Sequence, residues 1–212
     1  MHKEIYKITL LFNSNNVYGR EIIEGIGQYI QSTQCLWDVY LEDDFKIRPE
    51  NIEHWSGDGI IADFDEPGIK EMLDGMDRPI IGIGEKKDGY PEIPFVTTDH
   101  HSLMQTAFEH LKDKGIENFA FYGLPEHKTK KWAVERENIF KDIMAQHNYE
   151  WTSLSGFETS SETWQYSMDK LTEWLQSLPK GTGIISVTDA RARQMQRQPG
   201  RRAARLGDLG FG

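Results

Sequence analysis

The chain has 212 residues, 38% of them in the larger apolar set and 27% charged, with a formal net charge of −10. At about 100–200 residues per domain that is one domain or two small lobes, with enough apolar residues for a core, which excludes a generally disordered chain. It holds no run of ~18 apolar residues, no small-residue cleavage site near its start and a single cysteine, Cys35; these exclude a membrane span, an internal disulfide and a zinc ribbon, argue against a secretory leader, and fit a reducing, cytoplasmic setting.

Short apolar runs predict strands at residues 8–12, 37–41, 59–62, 80–83, 94–98, 119–122 and 183–187. Most are continuously apolar rather than alternating, the pattern of strands buried on both faces of a parallel sheet. Helix-length segments separate them. Asp99 is placed to cap a helix carrying Leu103, Ala107 and Leu111, and Lys114 with Gly115 to end it. Thr159 and Glu162 have capping-box spacing ahead of Trp164, Met168, Leu171, Leu175 and Leu178, the apolar stripe of a later helix. Strand–helix alternation of this kind implies an α/β fold with right-handed crossovers.

The charge is unevenly spread. Residues 191–212 hold six arginines and one acid, a net of +5, which leaves −15 for residues 1–190. The first 190 residues contain fourteen lysines and four arginines, whereas the tail has no lysine, isoleucine, valine, tyrosine or tryptophan. Such a tail is either a basic arm for nucleic acid or acidic partners, or out-of-frame translation of GC-rich DNA. The absence of lysine favours the second, and residues after about 193 are then expected to carry no structure. The acidic body has no DNA-binding surface of its own.

In open parallel sheets ligands bind beyond the carboxyl ends of the strands. The residues found there are Asn13, Ser14, Asn15 and Asn16 with Tyr18 and Arg20, then Asp63 and Asp65, Gly84 and Glu85, Asp99, and finally Thr188 and Asp189. Carboxylates, amides and hydroxyls at successive strand ends can take up the hydroxyls of a polyol, and Phe64, Trp132 and Trp164 can cover a sugar ring. The same residue types also cap helices and make turns. Arg136 lies on the inward stripe of its helix, where a charge needs a partner; it suits ring oxygens or a carboxylate, or else pairs internally with a neighbour such as Asp63 or Asp189.

Enzymatic signals are poor. Gly82-Ile83-Gly84 lacks the third glycine of a dinucleotide fingerprint, and no P-loop or nucleophile-elbow motif occurs. Asp99-His100-His101 has no i,i+4 ligand spacing and is read as solvated or capping, so neither metal nor cofactor is expected. Asp43-Asp44 with Asp63 and Asp65 looks like a phosphoacceptor cluster only superficially, because Thr188-Asp189 stands where a receiver domain needs a late lysine.

The segments ITLLFNSNNVYGREIIEGIGQYI, GDGIIADFDEPGI, FAFYGLPEHKTKKWAVERENIF and GIISVTDARAR, in that order, resemble the sensor half of the AraC-family activators of xylose operons. The resemblance covers residues 5–193. It implies a two-lobed sensor similar to the LacI/GalR and type I periplasmic sugar-binding fold, with a first lobe at 1–113, a partial second lobe at 114–190 and the tail at 191–212. It implies D-xylose or a similar pentose as ligand, lobe closure as the response, a homodimer, and DNA contact only through a downstream domain absent from these residues. By position, Asn13, Tyr18, Asp63, Gly84, Arg136 and Asp189 match the sugar-contacting places of the family; Trp132 and Trp164 join them as aromatic covers.

Overall fold

Strands that are apolar on both faces need helices on both faces, and the chain provides them in two compact units, Met1–Thr98 and Asp99–Gly212. The computed structural model describes residues 5–42, 52, 54–85, 92–125, 130–158 and 160–197.

In the first unit β1 (Tyr6–Leu11), β2 (Trp37–Leu41), β3 (Gly59–Asp63), β4 (Ile80–Ile83) and β5 (Phe95–Val96) form a parallel sheet in the order β2-β1-β3-β4-β5. The register sets Leu10 beside Leu41 and Ile61, and Ile61 beside Ile81. Ile22, Ile23 and Ile26 of α1 (Val17–Thr33) pack on Ile8, Leu10, Phe12, Ile61 and Ile83. On the opposite face Leu11, Ile60, Ala62 and Ile80 meet Ile52, Phe64 and, from α2 (Ile69–Leu73), Ile69 and Leu73. β5 is shorter than residues 94–98 predict.

In the second unit β6 (Phe119–Tyr122), β7 (Trp151–Leu154) and β8 (Gly183–Ser186) form a parallel sheet in the order β7-β6-β8. Phe119, Phe121, Ile185 and Val187 face Met104, Phe108 and Leu111 of α3 (His100–Asp113) and Ala133, Phe140, Ile143 and Met144 of α4 (Lys131–Gln146). Ala120, Tyr122 and Ile184 face Leu171 and Leu175 of α5 (Trp164–Ser177) and Met195 of α6 (Asp189–Gln196).

The structure departs from the sequence expectations at four further places. β7 has no apolar run to announce it, because only Trp151 and Leu154 are large and apolar. The helix at 100–113, assigned to the first lobe, buries its stripe in the second unit, so the division falls at Thr98. α5 starts after Thr163 rather than after Thr159, which lies outside the described residues. Its entry is held by Ser160 and Thr163, whose hydroxyls each accept from the other's amide, at 3.1 and 3.0 Å. Finally, residues 191–196, placed in the tail by composition, form most of α6 and bury Met195. Residues 198–212, the rest of that tail, lie outside the described residues, as do Asp43 and Asp44. No described helix is long and apolar enough to cross a membrane.

Candidate functional site

A parallel βα unit places each helix start at the carboxyl end of the preceding strand, so that end of each sheet collects turns, caps and first-turn side chains. In the first unit β1, β3 and β4 are neighbours in the sheet, which sets Asn13, Asp63 and Gly84 on three adjacent strand ends. At about 4.8 Å between strands, the outer two of these ends stand about 10 Å apart.

Local hydrogen bonds shape each strand end. Asn13 Oδ1 accepts from the Asn15 amide at 3.0 Å, Arg20 Nη1 donates to the Ser14 carbonyl at 2.9 Å, and Asn16 caps α1 through the Gly19 amide. Tyr18, in the first turn of α1, is exposed. Asp63 is buried, and its Oδ1 accepts from the Asp65 amide at 2.9 Å. Asp65 Oδ1 accepts in turn from the Glu85 amide at 3.3 Å. Gly84 between these strands is required by its backbone: φ is +95°, and a Cβ there would stand 2.6 Å from Asp65 Oδ2. Phe64 is core, edge-on to Phe95 with ring centroids 5.0 Å apart, so it does not cover a ligand as expected. Glu66, unremarked in the sequence, is buried beside this turn, its amide donating to the Asp63 carbonyl.

The second unit gathers Trp132 and Arg136 from the first two turns of α4, Trp164 from the start of α5, and Thr188 and Asp189 from the start of α6. Arg136 and Trp132 are brought together, the guanidinium carbon 4.8 Å from the ring centroid. Arg136 Nη1 donates to the Val187 carbonyl at 2.8 Å, and Nε donates to His100 Nδ1 at 3.2 Å. The expected alternative of an Arg136–Asp189 pair does not form. The Asp189 carboxylate is exposed in the first turn of α6, without hydrogen bond or ion pair among the described residues, where it is favoured by the helix dipole. Trp164 is exposed at the start of α5. Asp99 caps α3, accepting from the Ser102 amide at 2.9 Å and its hydroxyl at 2.8 Å, which holds its carboxyl below the usual range.

Sequence reasoning missed His100, Tyr122, Arg191 and Gln194. Arg191 Nη1 donates to Gln194 Oε1 at 2.9 Å and to Tyr122 Oη at 3.3 Å, and both Nη atoms approach the Phe157 carbonyl. Gly156 leaves room for this guanidinium, since a Cβ there would stand 2.9 Å from Arg191 Cζ. Position 191 was set aside with the arginine tail because composition cannot show which arginine has partners. Among the described residues no group of three or more His, Cys, Asp or Glu is arranged to hold a metal.

Burial pushes the Tyr122 phenol above its ordinary 10.0, against the opposing charge and hydrogen bond of Arg191. A phenol that ionises more easily unfolded than folded adds stability below its ordinary pKa and loses it as pH rises through the folded value. Urea denaturation from neutral pH to about pH 11 should therefore show a decline above about pH 10 that is shallower in Tyr122→Phe.

Residues 7–101 match the family described as the XylR N-terminal domain, and residues 108–203 the periplasmic binding protein-like domain. The chain is 46% identical over 198 residues to the xylose operon regulatory protein of Escherichia coli (strain K12), covering 92% of this chain and 50% of that protein. The protein of the same name from Haemophilus influenzae is 44% identical, covering 92% of this chain and 51% of the relative. The chain thus spans about half the length of the curated relatives it matches. Among solved structures it is similar to the xylose-binding transcription activator xylR, at 44% identity and TM-score 0.79 over 92% of this chain and 50% of that one. A probable maltose operon transcriptional repressor from Staphylococcus areus shares the fold alone, at 16% identity and TM-score 0.67 over 92% of this chain and 72% of that one.

Proposed function

We propose that the chain, which is similar to the XylR N-terminal domain over residues 7–101 and to a periplasmic binding protein-like domain over residues 108–203, binds a sugar, D-xylose or a similar pentose, as the sensing part of a transcriptional regulator. The observation that carries this reading is similarity along 92% of the chain to proteins named for the xylose operon. The ligand-binding residues are Asn13, Tyr18, Asp63 and Gly84 of the first unit and Trp132, Arg136, Trp164 and Asp189 of the second. Carboxylate, amide and guanidinium groups suit the paired hydroxyls of a pentose, and tryptophan suits the apolar face of its ring. The role is binding, not catalysis, and needs no metal or cofactor; no nucleophile–base pair is among these residues.

DNA contact is assigned to the half of the relatives' length that this chain does not span, since residues 1–190 carry a net of −15. A cytoplasmic location and a homodimeric whole regulator accompany this reading. A ligand that binds only the folded state stabilises it, by about 2.7 kcal/mol at 100 times its Kd. D-xylose is expected to raise the thermal midpoint of the full chain in a saturable way, and D-glucose much less. No shift with D-xylose or any other pentose, and no heat in titration calorimetry, would sink the proposal.

A further inference from the structure

A guanidinium selects a ligand only when its plane is fixed, and one of the groups holding Arg136 is a histidine whose sequence context suggested nothing of the kind. His100 is the first residue of α3 and only 6% exposed. The cap of that helix is supplied by Asp99, so the His100 ring is not needed there. Its Nδ1 instead accepts from Arg136 Nε at 3.2 Å. We infer that His100 is a positioning residue, whose Nδ1 lone pair fixes the rotation of the Arg136 guanidinium. The inference deepens, and rests on, the reading that Arg136 contacts the sugar.

Among the described residues, groups on at least three elements restrain this one side chain. His100 on α3 takes the Nε hydrogen, the carbonyl of Val187 after β8 takes one Nη1 hydrogen, and the guanidinium carbon stands 4.8 Å from the centroid of the Trp132 ring on α4. Restraints at Nε and Nη1 define both the tilt and the direction of the fork, which removes the ordering that a ligand would otherwise have to impose. For Nδ1 to accept, the imidazole must be neutral with its proton on Nε2, because an imidazolium has no acceptor nitrogen.

The test uses the full chain labelled with 15N. Long-range proton–nitrogen spectra should show His100 protonated at Nε2, and a slowly exchanging Arg136 Nε–H signal. His100→Leu should shift that signal and speed its exchange. His100→Asn, whose amide oxygen can stand near the Nδ1 position, should restore it. D-xylose affinity should fall about tenfold in His100→Leu and recover most of that loss in His100→Asn. In an Arg136→Lys background the His100→Leu change should cost little more.

An Nδ1-protonated ring, or an Arg136 signal indifferent to His100→Leu, overturns the inference whatever the sugar data. So does unchanged affinity in His100→Leu when the parent binds D-xylose. If the parent binds no sugar but the spectra show the coupled pair, the functional reading fails while the His100 control of Arg136 stands. Should His100→Leu not fold, the tautomer in the parent and the Arg136 signal in His100→Asn decide the matter.

Discussion

Phe121→Ala is expected to remove a large share of the stability of the second unit. Phe121 is 0% exposed on β6, the middle strand of its sheet, with Ile185 beside it in register and the Phe140 ring 5.3 Å away. Removing a buried phenylalanine costs about 3–5 kcal/mol, from lost apolar burial and from the cavity left behind. Whole domains are held by only about 5–15 kcal/mol. Urea denaturation followed by far-UV circular dichroism should show the midpoint collapse, whereas Phe121→Leu, which keeps much of the volume, should lose less than half as much. A midpoint within about 1 kcal/mol of the parent would mean that the Phe119–Phe121–Phe140 cluster is not the core of this unit.

Arg136→Leu is the substitution expected to matter most for ligand response. Leucine fills the stem but leaves the Val187 carbonyl and His100 Nδ1 without their donor, at about 1–3 kcal/mol for each buried acceptor. The unit should remain folded at low temperature, because Phe140, Ile143 and Met144 still anchor α4. The D-xylose-dependent rise in thermal midpoint should vanish. Arg136→Lys should lose most of the response as well, since an ammonium keeps the charge but not the planar fork. Full retention of the response in Arg136→Leu would remove Arg136 from the site.

Much of the architecture is legible along the chain because it depends on local pattern. Residues 80–83 and 119–122 were marked as strands from continuous apolar runs and 37–41 from a run broken by Asp38, and they match β4, β6 and β2 at both ends. The Asp99 cap and the Lys114-Gly115 stop were legible for the same reason, since a cap is settled within three or four residues. β7 was not legible. Its residues Trp151 and Thr152 are exposed and Ser153 is polar, so no apolar run forms.

The candidate site divides in the same way. Its strand-end carboxylates and amides are visible in sequence because each follows an apolar run. Which of them are turn-makers is not: Asp63 and Asp65 engage backbone amides of Asp65 and Glu85, and Phe64 turns into the core. The inward charge of Arg136 was evident from its helix stripe, but its partners lie 36 and 51 residues away, at His100 and Val187. Composition at the far end misled in the opposite direction. Arg191 and Met195 look like the start of a foreign tail, yet one is bonded to Tyr122 and Gln194 and the other is buried against the sheet.

The amino-acid sequence alone therefore determined the fold class and most strand positions, because apolar periodicity and caps are properties of short stretches of chain. Only the tertiary structure decided the division at Thr98, the unannounced edge strand, the ordered α6 and the histidine behind Arg136. Each of these depends on which distant side chains share a face or a hydrogen bond, and such partners meet only after the sheets and helices have packed.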